Sequence, residues 1–175
     1  MRADLYDEIV TIKIDANSQR AVSFNQKSQF GRLSEDKLEL SLIEACYLFE
    51  SGRIDIYEND EKCEVSYILD LIRERDIYGK YLVYKDLKNR GYIIKTGFKY
   101  GSEFRLYDRG GGPGKGHSDY LVKVLYETGD VPVLDFASYI RVSHGVNKKL
   151  LLAVVDDDLD ITCLLYTSPS PRDRG

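Results

Sequence analysis

The order of helical and strand patterns in residues 81–155 most constrains how this chain folds. A helical pattern over Tyr81–Asn89 stops at Gly91, and a second helix, which we expect Asp135 to cap, runs to about Ser143. Strand patterns occupy residues 92–96, 103–107, 120–125 and 150–155. Because helices and strands do not alternate one by one, this order favours an α+β fold over repeated βαβ units.

The first part of the chain predicts a separate small α+β unit. Glu8–Ile14 alternates polar and apolar residues like a half-buried strand, and Ala21–Phe24 is its candidate partner strand. The sequence SLIE at Ser41–Glu44 is a capping box that opens a helix ending at Gly52, and a further helix is expected over Glu64–Asp76. Since Gly79 interrupts the pattern, we place one domain at residues 1–78 and a second, a sheet flanked by helices, at 79–162.

Composition excludes several classes of protein. The chain has 175 residues, of which 43% are hydrophobic, yet no apolar run approaches the roughly 18 residues of a membrane span. Its start, MRADLYDEIV, is charged where a signal peptide is apolar, so we expect a cytoplasmic protein without a membrane partner. The three cysteines are widely separated and predict neither a metal site nor a disulfide framework.

Charge is unevenly distributed along the chain. The net charge is -4, but residues 85–123 contain 9 Lys and Arg against 4 Asp and Glu. A locally basic face is compatible with phosphate binding, although such a run is more often a solvated surface.

The glycine-rich stretch YDRGGGPGKGH at Tyr107–His117 is not a nucleotide phosphate loop. That motif requires a first glycine where Arg109 stands and a Ser or Thr where Gly116 stands. What remains is a loop with a tyrosine at one end and a histidine at the other.

Three residue types in the second domain could cleave RNA without a metal. The reaction needs a base for the ribose 2'-proton, an acid for the departing 5'-oxygen and a cation for the charge on phosphorus. Tyr107, His117 and one of Lys148 or Lys149 supply this set, provided that the cation favours the Tyr107 phenolate. Each residue also has an ordinary structural explanation, and His144 is explained by its place at a helix C-terminus. No spacing suggests a zinc site or a serine triad.

Several stretches closely resemble archaeal tRNA-splicing endonucleases. YKDLKNRGYIIKTGFKYGSEFRLY at 84–107, GHSDYLVKV at 116–124 and HGVNKKLLLAVVDDDLDI at 144–161 resemble their catalytic domain. FGRLSEDKLELSLIEACYLFESGRI resembles their amino-terminal domain. The separations of 10 residues from Tyr107 to His117 and 31 from His117 to Lys148 fit the family's catalytic spacing.

The resemblance implies a nuclease-like sheet in residues 79–162 and a role for each candidate. Tyr107 would be the general base, His117 the general acid and Lys148 the stabiliser of the transition state, with no metal or other cofactor. Arg141 would stack on a nucleotide of an RNA bulge, although a surface salt bridge is its plain alternative. Four aspartates would form an acidic loop that docks on a neighbouring subunit, namely Asp156, Asp157, Asp158 and Asp160. The alternative explanations of these residues are a solvated turn and an ion site.

The implied protein is a homotetramer, a dimer of dimers, that cleaves precursor tRNA at bulge-helix-bulge junctions to 2',3'-cyclic phosphate and 5'-hydroxyl ends, which is lyase chemistry. A noncatalytic structural subunit or RNA-binding module of the same fold is the main alternative, and a nucleotide-binding enzyme is the second. Residues 163–175 begin with CLLYTSPSPRD, which resembles a translated sequencing adapter, so we expect them to be an artefactual tail.

Overall fold

The computed structural model describes residues 1–15, 18–96, 103–108 and 119–167, and the chain forms two compact units, Met1–Tyr81 and Leu82–Gly175. Each unit contains helices and a mixed β-sheet, which confirms the predicted α+β fold. Within the described ranges, no helix combines the length and apolar character that crossing a membrane requires.

The first unit is built on a six-stranded sheet. Its strands are β1 Arg2–Tyr6, β2 Ile9–Lys13, β3 Arg32–Leu33, β4 Lys37–Ser41, β5 Asp55–Glu58 and β6 Glu61–Lys62. The helices are α1 Gln19–Gln26, α2 Leu42–Glu50 and α3 Val65–Glu74. The strand order is β3-β4-β2-β1-β5-β6, and the β1–β5 pair is parallel while the other pairs are antiparallel.

One strand prediction in this unit is confirmed and one is wrong. The alternating segment Glu8–Ile14 contains β2, whose Val10 and Ile12 are buried. Ala21–Phe24 is not a strand, because it lies inside α1 and buries Ala21 and Phe24 on one helical face. Four apolar-rich residues fit either period, and the spacing of three between the two buried side chains is the helical one.

The predicted capping box at the start of α2 is confirmed, and its glutamate also holds a neighbouring segment. The Ser41 hydroxyl accepts a hydrogen bond from the Glu44 amide, while Glu44 Oε2 accepts one from the Ser41 amide at 3.0 Å. Glu44 Oε1 accepts a further bond from the Gly31 amide at 2.9 Å. Gly31 has φ +59° and no room for a Cβ, since one would lie 2.2 Å from the Glu39 carbonyl oxygen. A buried carboxylate therefore joins α2 to the chain entering β3.

We expect Glu44→Ala to lower the free energy of unfolding of the first unit by about 2–4 kcal/mol. The change leaves the Gly31 and Ser41 amides without their acceptor, and each buried unsatisfied donor costs about 1–3 kcal/mol. Urea unfolding followed by circular dichroism measures the loss. The control is Glu74→Ala on α3, an exposed helical glutamate whose removal should change stability by at most about 0.5 kcal/mol. Equal midpoints for the two variants would contradict this account.

The second unit has a five-stranded sheet. Its strands are β7 Ile93–Thr96, β8 Phe104–Tyr107, β9 Tyr120–Tyr126, β10 Lys149–Val155 and β11 Ile161–Tyr166, in the order β11-β10-β9-β8-β7. The helices are α4 Tyr78–Asn89, which crosses the division between the units, and α5 Val133–Gly145. β9 and β10 are parallel, and the remaining pairs are antiparallel.

Two predicted helix starts in this unit are wrong. α4 begins at Tyr78 and includes Gly79, so the glycine does not break the helix. α5 begins at Val133 with Pro132 at its cap position, and Asp135 lies in the first turn without capping. A proline suits the start of a helix because an N–H at that position would have no partner within the helix, so its absence costs nothing. Asp135 still interacts favourably with the helix dipole from the first turn.

The predicted adapter-derived segment begins inside β11. Residues Cys163–Tyr166 pair antiparallel with Leu150–Ala153 of β10, and residues 168–175 lie outside the described residues. The origin of residues 163–175 stays a prediction.

Candidate active site

Tyr107 and Lys148, two of the three candidate catalytic residues, lie where three neighbouring strands meet one edge of the second sheet. Leu106 of β8 is opposite Tyr120 of β9, and Tyr120 is opposite Lys149 of β10. One residue further towards the edge stand Tyr107 at the end of β8 and Lys148 just before β10. Because neighbouring strands lie about 4.8 Å apart, the backbones of Tyr107 and Lys148 are roughly 10 Å apart.

Asp119 joins these strand ends through its main chain. Its amide donates to the Leu106 carbonyl at 3.0 Å, and its carbonyl accepts a hydrogen bond from the Lys149 amide at 3.0 Å. Its side-chain Oδ2 also accepts a long hydrogen bond, 3.4 Å, from the Asp108 amide. Asp119 therefore fixes the relative positions of the residues that flank Tyr107 and Lys148.

Strand alternation places Tyr107 on the face of the sheet that α5 covers. Phe104 points to the opposite face, where its ring contacts Tyr84 of α4, with the ring centroids 5.8 Å apart. Arg105 shares the Tyr107 face and is opposite Leu121, two residues before Lys123. Lys123 Nζ lies 2.9 Å from Glu103 and 4.7 Å from the centroid of the Tyr139 ring on α5. Tyr107 itself is only 5% exposed.

The ammonium of Lys148 is in an unfavourable environment for a positive charge. Partial burial lowers the pKa of Lys148 below the ordinary lysine value, and the nearby charge of Arg105 lowers this pKa further. The Asp119 carboxylate acts in the opposite direction and raises the pKa of Lys148. The pKa of Lys148 therefore depends on its burial and on both neighbouring charges.

Arg141 lies on the exposed side of α5, in the same open groove as His144. The groove has a volume of about 600 Å³ and is also lined by Ala137, Ile140 and Gly145. His144 stands in the last turn of α5, where the helix dipole favours a basic side chain. A flat group entering the groove would meet an arginine, a histidine and the apolar surface between them.

The acidic residues form the turn between β10 and β11. Asp156 Oδ1 accepts a hydrogen bond from the Asp160 amide at 2.8 Å, and the Asp156 amide donates to the Asp160 carbonyl at 3.1 Å. Asp157 and Asp158 are exposed at the tip. Across the described ranges, no three His, Cys, Asp or Glu side chains are grouped so that they could hold a metal ion.

His117 lies outside the described residues, so the structure brings together two of the three candidate catalytic residues. The sequence alone did not predict that Arg105 and Asp119 are neighbours of Lys148. The position of Asp119 directly before β9 is a weak sequence signal, because strand ends at the edge of a sheet often carry functional side chains. Arg105 gave no signal apart from its alternation with Tyr107.

Family comparison accounts for both units of the chain. The model of the tRNA intron endonuclease catalytic C-terminal domain matches residues 77–163, and that of the N-terminal domain matches residues 1–68. The chain belongs to the tRNA intron endonuclease family. The catalytic-domain match spans Tyr107, His117, Arg141 and Lys148.

Relatives from this family align with most of the chain. A tRNA-splicing endonuclease of Methanothermobacter thermautotrophicus is 53% identical over 165 residues, covering 94% of this chain and 95% of the relative. Proteins of the same name from Thermococcus gammatolerans and Pyrococcus furiosus are 44% and 40% identical and cover 86% and 82% of this chain, and 89% and 85% of the relatives. The resemblance inferred from the sequence is thereby confirmed.

We expect Lys148 to lose its proton at lower pH than an ordinary lysine, because its folded pKa is lowered. Its positive charge is then present below that pKa and lost as the pH rises through it. Arg105→Gln removes a repelling cation and should raise the pKa of Lys148, whereas Asp119→Asn removes an attracting carboxylate and should lower it. NMR titration of ¹³C-methylated lysines measures both shifts, with the Lys148 signal assigned by its absence in Lys148→Arg. Shifts of the same sign in both variants would contradict this electrostatic account.

Proposed function

We propose that the protein is a tRNA-splicing endonuclease that cleaves precursor tRNA at bulge-helix-bulge junctions by metal-independent transesterification. The observation that supports this most is the meeting of the Tyr107 and Lys148 strand ends at one sheet edge, within the part of the chain that matches the family's catalytic domain. The relatives are named tRNA-splicing endonucleases, which supports the endonuclease activity in tRNA splicing.

The proposed step divides the chemistry among three side chains. The Tyr107 phenolate takes the proton of the ribose 2'-hydroxyl, and the 2'-oxygen forms a bond to phosphorus. The bond from phosphorus to the 5'-oxygen breaks as His117 gives that oxygen its proton. The products are a 2',3'-cyclic phosphate and a 5'-hydroxyl, and the enzyme belongs to the lyases. The Lys148 ammonium neutralises negative charge that accumulates on the phosphoryl oxygens.

The role of His117 is proposed from the sequence. A histidine exchanges its proton near neutral pH, as the acid in this step must. The catalytic-domain match spans position 117, which supports including this residue with Tyr107 and Lys148.

Arg141 is proposed to bind a nucleobase that leaves the RNA stack at a bulge. Its guanidinium stands on an exposed helix side beside an open groove, and a planar guanidinium can stack on a base. Recognition would then depend on RNA shape and unstacked bases more than on sequence.

The acidic turn is proposed to dock on a basic cleft of a neighbouring subunit in a homotetramer of two dimers. The hydrogen bonds of Asp156 hold the turn in one conformation, so little ordering is needed when Asp157 and Asp158 meet a partner. Such an assembly would place two active sites across one bulge-helix-bulge substrate in the cytoplasm.

We expect a labelled bulge-helix-bulge RNA to be cut at both junctions in EDTA, with cyclic-phosphate ends. The assay uses a restored chain, in which residues 163–175 are exchanged for the aligned C-terminal residues of the M. thermautotrophicus relative. His117→Ala should slow single-turnover cleavage by on the order of 100-fold at unchanged RNA affinity, because only proton transfer is lost. Arg141→Ala should instead weaken RNA binding.

Binding is measured with an RNA that lacks the two attacking 2'-hydroxyls. If the restored chain binds this RNA but does not cut the cleavable one, the noncatalytic RNA-binding alternative replaces the proposed activity. If cleavage stops in EDTA and returns with added metal, the metal-independent mechanism is wrong.

We expect the restored chain to run as a tetramer in light scattering and the Asp157→Asn, Asp158→Asn double variant as a smaller species. Neutralising the tip removes the charge that would attract a basic cleft, and Asp156 is kept because it holds the turn. Asp130→Asn, at an exposed position outside the turn, is the control. The 175-residue chain should fail to form the tetramer, and a double variant that remains tetrameric would refute the docking role.

A further inference from the structure

The C-terminus of α5 ends in a turn that contains Lys148. The Asn147 amide donates to the His144 carbonyl at 3.1 Å, and the Lys148 amide donates to the Ser143 carbonyl at 2.8 Å. Asn147 has φ +53°, in the left-handed region. These two bonds and the left-handed residue define a Schellman motif, with Asn147 at C′ and Lys148 at C″.

Other helices of this chain end in the same way with different residues at C″. α2, α3 and α4 have left-handed residues at Gly52, Asp76 and Gly91. The residues that follow, Arg53, Ile77 and Tyr92, donate the corresponding hydrogen bonds to Leu48, Ile72 and Leu87. In α5 the residue in this position is the lysine on which Asp119 and Arg105 act.

The motif holds Lys148 from the helix side while the sheet holds it from the other. The Ser143 carbonyl fixes the Lys148 amide, and Ser143 is only 3% exposed, with its hydroxyl donating to the Ile140 carbonyl at 2.8 Å. The next amide, that of Lys149, donates to the Asp119 carbonyl. The backbone of Lys148 is therefore clamped between α5 and β9, and the left-handed bend at Asn147 makes both bonds possible.

We propose that Asn147 is a positioning residue whose left-handed backbone fixes where the Lys148 ammonium lies beside Asp119 and Arg105. The inference rests on the proposed function, in which Lys148 stabilises the transition state. Asparagine tolerates the left-handed region and glycine enters it freely, whereas a β-branched residue there is strongly disfavoured. Valine at position 147 relieves its strain by rotating the backbone, which breaks the Lys148 to Ser143 bond and displaces the ammonium.

The variants are Asn147→Val, Asn147→Gly and Asn59→Val. Asn59 has φ +50° and is exposed at the β5–β6 turn of the first unit, so Asn59→Val introduces the same strain away from the second sheet. Thermal melting measures the stability cost, and all assays run well below the lowest melting temperature.

The first readout is the Lys148 signal in the NMR titration of the full 175-residue chain. Asn147→Val should change the pKa of Lys148, because burial and the distances to Asp119 and Arg105 change together, while Asn147→Gly and Asn59→Val leave it as it is. An unchanged Lys148 titration in Asn147→Val would overturn the proposal, whether or not the protein cleaves RNA.

The second readout is single-turnover cleavage by the restored chain at saturating enzyme. Asn147→Val should be about 10- to 100-fold slower, since a displacement of about 1 Å has that effect on catalysis, and Asn147→Gly should stay within about 2-fold of the unsubstituted chain. Affinity for the non-cleavable RNA should not change. Asn59→Val should cleave at the full rate despite its lower melting temperature.

A double-mutant cycle separates this proposal from the proposed function. In a Lys148→Ala background, Asn147→Val should cause no further loss of rate, because the residue through which it acts is gone. A further loss of equal size would show that Asn147 acts elsewhere. If Lys148→Ala itself cleaves at the full rate, the role of Lys148 in the proposed function fails, and the NMR readout still decides whether Asn147 positions the lysine.

Discussion

The pairing of Leu106, Tyr120 and Lys149 across β8, β9 and β10 is the constraint on which the candidate site depends. Two main-chain hydrogen bonds of Asp119 complete this pairing at the sheet edge. Successive side chains along a strand alternate faces and directly opposite residues share one. A shift of β8 by one residue relative to β9 would therefore move Arg105 and Tyr107 together to the face where Phe104 contacts α4. The buried residues of β8–β10 therefore have a second consequence besides stability. They fix the register that places Tyr107 and Lys148 at the same edge.

The electrostatics of that edge follow from the same geometry. Arg105 and Tyr107 share a strand and a face, and Asp119 directly precedes the neighbouring strand β9, so a cation and an anion both act on Lys148. In a lysine with a lowered pKa, the surroundings stabilise the positive charge of the ammonium less than water does in a fully solvated lysine. Such a charge gains more from an approaching phosphate, whose developing negative charge replaces the missing solvation. Partial burial and the Arg105 charge thus favour interaction with an anionic substrate, while Asp119 keeps the ammonium protonated to higher pH.

Sequence patterns predicted the elements whose signals are local and failed where tertiary context decides. The sequence predicted the start of α2 from the capping box of Ser41 and Glu44, and the ends of α2 and α4 from Gly52 and Gly91. These residue types have few other uses in such positions. Asp76 and Asn147 end helices in the same conformation, yet nothing in the sequence distinguishes them from ordinary polar residues. Ala21–Phe24 was assigned to a strand because four residues do not define a period. The contacts of Asp119 with β8 and β10 depend on strand order, which local pattern does not contain.

Gly91 and Asn147 end their helices in the same left-handed conformation but differ in the freedom they give the unfolded chain. Glycine is the least strained residue in the left-handed region, but it also has the largest conformational freedom in the unfolded chain and in frayed helix ends. Asparagine adopts the same φ but has fewer accessible backbone conformations than glycine. The end of α5 therefore has fewer alternative conformations when the turn is open. In both helices the residue after the left-handed position directly precedes a strand: Tyr92 stands before β7 and Lys148 before β10. The two turns therefore make the same folded chain reversal, and glycine and asparagine differ in the freedom of the chain when the turn is open.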